Sequence, residues 1–224
     1  MENWTEKINR ILANLSSTQE DMLALKDYIW LNLDHSSVEE VQTAVSFQVK
    51  YLELLEQFAQ NSQEISALIS QFTGIQIEET PKGVEQNNSD NQRLIKELNK
   101  NTPHEVTEDF TFKRPTAFIF DGCAYTDMNC WSELFIQFVA CLAKKDPAKL
   151  KTLADNPEFI SKQNKKYYSS TPKELRKPGK IMNDFFVETN HSANDLMKLA
   201  IDLLNYFKIP LSNMTIYLRQ DRNA

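Results

Sequence analysis

The sequence predicts an α+β fold: an N-terminal antiparallel helical hairpin or bundle with one long heptad helix, linked to a small C-terminal α+β module. Three observations lead there. Residues 1–77 hold no proline and a single glycine, Gly74, and their apolar residues recur at helical spacing. Residues 78–114 are polar, with Asn87-Asn88-Ser89-Asp90-Asn91 and Asn99-Lys100-Asn101-Thr102-Pro103 as turn-forming runs. Beyond them, strand runs and amphipathic helices follow one another without the regular alternation of a parallel doubly wound sheet. The predicted boundaries are a helical interaction or coiled-coil module over 1–77, a polar flexible linker over 78–114, and an α+β module over 115–224.

Trp4, Ile8, Ile11 and Leu15 lie on one face of a short N-terminal helix. Ser16-Ser17-Thr18 is expected to end it, and Glu20 to Leu33 to form a second helical stretch. Ser36 or Ser37 is placed to cap the next helix; Ser37 with Glu40 fits a capping box, and Glu39 and Glu40 suit the positive end of the dipole. From there Ala44, Phe47, Tyr51, Leu54, Phe58, Asn61, Ile65, Leu68 and Phe72 repeat at alternating spacings of three and four, an a/d seam. Val41, Val45, Leu52, Leu55, Ala59 and Ile69 widen the apolar face. Gly74 is the expected C-terminal cap. Residues 38–72 would span about 50 Å at 1.5 Å per residue. The seam is read either as intramolecular core or as a homodimer contact through Phe47, Tyr51, Leu54, Phe58, Ile65 and Leu68; the pattern alone does not separate the two. Asn61, its polar member, is of the kind that fixes register.

In the C-terminal half, Thr116 to Phe120 reads as a strand, Asp121-Gly122 as a hairpin turn, and Cys123 to Tyr125 as the return strand. Trp131 to Ala143 is an apolar helix with Trp131, Leu134, Phe135, Phe138, Val139 and Leu142 on one face, and a second helix is expected over Pro147 to Ala154. Phe185-Phe186-Val187 is strand-like. Ser192 caps a helix running to about Phe207, and Met214 to Leu218 is a final strand. The predicted order is ββααβαβ.

The 224 residues are 41% hydrophobic and 25% charged, ordinary globular usage that excludes wholesale disorder. No run approaches the ~20 apolar residues of a membrane span, so no membrane partner is expected. The opening residues carry no basic-then-apolar secretory pattern, and three Cys suit a reducing compartment better than a disulfide framework, so the expected location is the cytoplasm. The charge is uneven. Residues 1–112 carry 8 Lys and Arg against 19 Asp and Glu, a net of −11; residues 113–224 carry 17 against 12, a net of +5. An acidic half joined to a basic half points to two modules with different partners, or to halves that attract each other.

Asp27-Tyr28-Ile29-Trp30-Leu31-Asn32-Leu33-Asp34-His35, the Asp121-Gly122 strand run with Tyr125, Tyr168-Ser169 through Glu174-Leu175-Arg176, Glu188 through Asn194, and Tyr217 through Arg222 resemble an uncharacterised bacterial protein family with a helical N-terminal and an α+β C-terminal module. The resemblance implies a setting among phage-defence or mobile-element systems and implies no chemistry.

No catalytic constellation stands out. His104 lies in the predicted linker, His35 at a helix junction and His191 beside a helix start, and no known signature surrounds Cys123, Cys130 or Cys141. Cys123 and Cys130 lack the spacing of a zinc site. Neither G-x-x-x-x-G-K-[ST] nor G-x-G-x-x-G occurs. No catalytic residue, metal ligand or cofactor is therefore assigned. The basic stretch over 162–180 is the main functional signal. Lys162, Lys165, Lys166, Lys173, Arg176, Lys177 and Lys180 are matched to phosphates, Tyr168 to base stacking, and Asn190, Ser192 and Asn194 to hydrogen bonds with the same ligand. A solvated surface loop is the plain alternative. The expected function is non-enzymatic: a helical half for self-association or partner binding, and a basic half for DNA, RNA or another polyanion. The alternatives are a protein–protein adaptor without nucleic acid and a metal-dependent nuclease using Asp184, Glu188 and His191.

Overall fold

A computed structural model describes residues 4–74, 88–161 and 165–219. The chain divides into two compact units, Met1–Ile77 and Glu78–Ala224. The class is α+β, a helical pair followed by antiparallel sheets with helices.

In the first unit α1 (Trp4–Leu31) and α2 (Val38–Thr73) form a hairpin. The expected break at Ser16-Ser17-Thr18 is absent and α1 runs through it. The Thr18 hydroxyl donates to the Asn14 carbonyl at 2.8 Å, one turn back, so it is satisfied inside the helix. Between the helices Asp34 accepts from the Ser36 N–H at 2.9 Å and the Ser36 hydroxyl at 2.6 Å, closing the turn. His35 stands edge-on to Trp30, with ring centroids 5.5 Å apart. The Ser37 hydroxyl caps α2 by accepting from the Glu40 N–H. Gly74 ends it at φ +68°, a left-handed conformation that side chains disfavour. The Tyr51 hydroxyl donates to the Met22 carbonyl at 2.9 Å, the long side chain bridging the two antiparallel helices.

The second unit begins, among the described residues, with α3 (Asn88–Leu98) and β1 (Pro103–Glu105). These fall where a flexible linker is expected, and the structure differs there because the polar segment is held by specific contacts. The Asn91 side chain donates to the Gly122 carbonyl and accepts from the Ala124 N–H, both at 2.8 Å. Leu94, Ile95 and Leu98 cover the small residues Ala117 and Ala124, and the Tyr217 hydroxyl donates to Asn99 at 2.9 Å. Val106 and Phe110, also in the expected linker, are buried in the main core.

β2 (Pro115–Phe120) and β3 (Cys123–Tyr125) form a two-residue hairpin. Asp121 and Gly122 have φ +52° and +74°, the paired positive values of a type I′ turn. α4 (Trp131–Lys145), α5 (Pro147–Lys151), β4 (Tyr168–Ser169), β5 (Pro178–Met182), β6 (Phe185–Glu188), α6 (Ala193–Phe207) and β7 (Met214–Leu218) follow. Two antiparallel sheets result, ordered β1-β7-β2-β3 and β4-β6-β5. The short β1, β4 and β5 are missing from the order read in the sequence, because their Pro, Lys, Gly and Ser residues carry no alternating apolar signal.

Residues alternate across β2: Phe118 and Phe120 face the main core, while Ala117 and Ile119 face α3. α4 is the centre of that core, packing on β2, β5 and α6. Its Trp131, Leu134, Phe135, Phe138, Val139 and Leu142 are all buried, as their helical spacing predicts. Trp131 stacks obliquely on Phe110 and donates to the Lys113 carbonyl at 2.8 Å. Gly179 is pressed against this helix. A Cβ there would lie 2.7 Å from the Ile136 side chain.

Candidate functional site

The basic stretch folds as a loop that enters β4, turns through Pro172–Glu174, and returns along β5. Lys162 lies outside the described residues. Lys165, Lys173 and Lys180 are exposed and make no ion pair among the described residues. Lys166 is 2.9 Å from Glu174, whose carboxylate also accepts from Ser169. These donors, the Ser169 hydroxyl first and the Lys166 ammonium next, hold the Glu174 carboxyl below its ordinary range. Arg176 Nε lies 3.7 Å from Glu188.

Glu188 organises the return. It is buried, and its carboxylate accepts the backbone N–H groups of Arg176 (2.7 Å), Lys177 (3.0 Å) and Asn190 (2.9 Å). Thr189 adds a hydroxyl bond to the Lys177 carbonyl at 2.8 Å. The carboxylate thus serves as an acceptor for three backbone N–H groups that lie outside the strands. Its distance from the loop in sequence explains why a window over 162–180 shows only Glu174 as a counter-charge.

Several residues matched to a ligand have structural positions instead. Tyr168 is 1% exposed, its ring between Phe159 and Phe185, so it offers no platform to a base. Burial drives its phenol pKa well upward. Asn190 is buried. Ser192 is the N-cap of α6, exchanging hydrogen bonds with Asp195. Asn194 accepts from the Phe110 N–H at 2.8 Å and donates to Asp109 and Thr111, tying α6 to the segment before β2. The types Asn and Ser suit phosphate contacts and helix caps equally, which is why the sequence does not sort them.

The residues weighed for a nuclease are engaged separately. Asp184 is exposed and pairs with Lys151 at 2.6 Å, Glu188 serves the backbone, and the His191 ring lies 5.5 Å from that of Tyr167. Among the described residues no group of three or more His, Cys, Asp or Glu is placed to hold a metal ion. Cys123 is exposed, while Cys130 and Cys141 are buried. No helix of the described residues is long and apolar enough to cross a membrane.

The first unit presents a second candidate surface. On α2, Ala44, Leu55 and Ala59 are buried, with Tyr51 and Phe58 half-buried beside them. Phe47, Leu54, Ile65 and Leu68 are 41–66% exposed and Phe72 is 90% exposed. At about 100° per residue these five and Asn61 fall within about 60° of one another, roughly 100° round the axis from the buried row. Only part of the predicted seam is therefore core; Phe47, Leu54, Ile65, Leu68 and Phe72 form an exposed apolar flank about 38 Å long. Val38, Val45, Val49 and Leu52 are exposed on the far side of the N-terminal half.

No family model, no curated protein and no solved structure matches the chain.

Proposed function

We propose that the protein is a two-module binding protein whose helical unit self-associates through α2 and whose second unit engages a polyanion. The observation that carries the reading is the exposed flank of Phe47, Leu54, Ile65, Leu68 and Phe72. A contiguous apolar face of this length in water favours a partner surface. Light scattering across a concentration series tests it. The expected result is a wild-type dimer and a monomeric Leu54→Glu variant of unchanged helicity, because Leu54 lies outside the buried row. A wild-type monomer at every concentration overturns self-association and favours a different protein as occupant, the adaptor reading.

The polyanion half is supported by Lys165, Lys173 and Lys180, three lysines without an ion pair among the described residues, on one loop and its β5 continuation. DNA or RNA is the partner proposed. Replacing all three with Ala is expected to lower affinity at low salt. It should also flatten the dependence of log K on log salt by about 0.9 for each duplex phosphate that is no longer neutralised. Wild-type protein that binds neither single-stranded nor duplex nucleic acid at about 50 mM salt, where such interactions are strongest, overturns it.

A further inference from the structure

The exposed flank of α2 is not featureless, and its polar members say what covers it. Written as a heptad, Ala44, Tyr51, Phe58 and Ile65 occupy one set of seam positions and Phe47, Leu54, Asn61 and Leu68 the other. The edge bordering the exposed side carries Lys50, Gln57, Glu64 and Gln71. The opposite edge, with Leu55, is turned to the buried row of the hairpin.

We infer that α2 pairs antiparallel with α2 of a second copy, about a twofold axis near Gln57. This rests on the self-association proposed above and specifies its geometry. In antiparallel packing each seam position faces one of the other set, and like edges meet. In the register centred here, Lys50 meets Glu64 of the second copy, and Glu64 meets its Lys50. The same register sets Tyr51 opposite Asn61, so the hydroxyl-bearing and carboxamide-bearing residues of the seam meet each other. Tyr51 donates its proton to Met22, which leaves its oxygen to accept from the Asn61 amide. The next layers are apolar, Phe47 with Ile65 and Leu54 with Phe58, while Leu68 comes level with Ala44, which is already buried in its own hairpin. Phe72 lies beyond them, level with Glu40 of the second copy.

The other arrangements lose these matches. Sliding the antiparallel pair by one heptad either way sets Lys50 against Gln71 or Gln57 and Glu64 against Gln57 or Thr43, and separates Tyr51 from Asn61. A parallel pair brings Lys50 level with Lys50 and Glu64 level with Glu64, which gives no complementarity along the edge. Lys50 also lies 3.2 Å from Glu53 of its own helix, an exposed pair of the kind that contributes little. Twofold pairing is isologous, so one patch serves both copies and the assembly closes as a dimer of hairpins.

The test uses full-length protein with the exposed Cys123 replaced by Ser, carrying either Lys50→Cys or Glu64→Cys. Each variant is oxidised alone and after mixing and subunit exchange, with sedimentation velocity run on the same samples. The expected result is dimers throughout, with about tenfold more disulfide-linked dimer in the mixture than in either variant alone, since only the mixed pair brings two Cβ atoms into bonding range. Dimers that cross-link in the single variants, or not at all, overturn the antiparallel register while leaving self-association intact. Monomers in the Cys123→Ser parent overturn both.

Discussion

The Glu188 carboxylate accepts the Arg176 backbone N–H at 2.7 Å, and with that bond the basic loop is anchored from beneath by an acidic residue twelve positions downstream. Glu188→Ala leaves the N–H groups of Arg176, Lys177 and Asn190 without this acceptor. The expected loss is on the order of 3 kcal/mol in urea unfolding, with Glu188→Gln losing less because one oxygen remains. Trypsin should also cut faster after Arg176 in the Ala variant; Lys177 precedes Pro178 and offers no tryptic site. Stability within about 0.5 kcal/mol of wild type would show that the anchor is dispensable.

Gly179 gives a steric prediction. Gly179→Ala places a methyl 2.7 Å from Ile136 Cγ1 and Cδ1 and 3.0 Å from the Thr189 methyl. Overpacking of this kind costs about 1–3 kcal/mol. Combining it with Ile136→Val, which removes Cδ1, should recover part of that loss in a double-mutant cycle; strict additivity would show that the two positions do not meet.

Asp109 gives a pH dependence. Donation from the Thr111 hydroxyl, then the Asn194 amide and the Thr111 N–H, lowers its carboxyl pKa from 3.8 to about 2. A depressed folded-state value means that the unfolded chain takes up the proton first. The stabilisation is therefore complete above about pH 4 and lost as pH falls toward about 2. Asp109→Ala should make the acid limb of the stability curve shallower over that window, and an unchanged limb would place the sensitivity elsewhere.

Thiol chemistry separates the three cysteines. Burial pushes the Cys141 thiol up to about 11, and both Cys141 and Cys130 are shielded, whereas Cys123 is exposed. A disulfide reagent at neutral pH should titrate one fast thiol per native chain, abolished by Cys123→Ser, and three after unfolding. Three fast thiols in the native protein would contradict the burial of α4.

What the sequence made legible is what short-range chemistry decides. Ser37 and Gly74 bracket α2, Asp121-Gly122 turns the hairpin, and Ser192 starts α6, since each acts through its own neighbours. The docking of α3 was illegible because Asn91 works through Gly122 and Ala124, some thirty residues away. Tyr168 was misplaced for a related reason. A tyrosine in a lysine-rich run looks exposed, yet pairing of β4 with β6 sets the Tyr168 ring against Phe159 and Phe185. The heptad row was legible as a row but not as a division of labour, since position on the wheel does not reveal how much of a wide stripe one neighbour covers.

The place of β7 in the first sheet has a kinetic consequence. It pairs with both β1 and β2, so the strand made after all the others lies between the first two. As a nascent chain leaves the ribosome, β1 and the β2–β3 hairpin have no common partner, and their unpaired edges wait through the synthesis of α4, both remaining helices and the whole second sheet. Closure then demands a long-range loop, the high-contact-order step that slows folding and prolongs exposure to aggregation. Refolding of this unit should be all-or-none and late, and truncation ahead of Met214 should leave a chaperone client rather than a partly working domain.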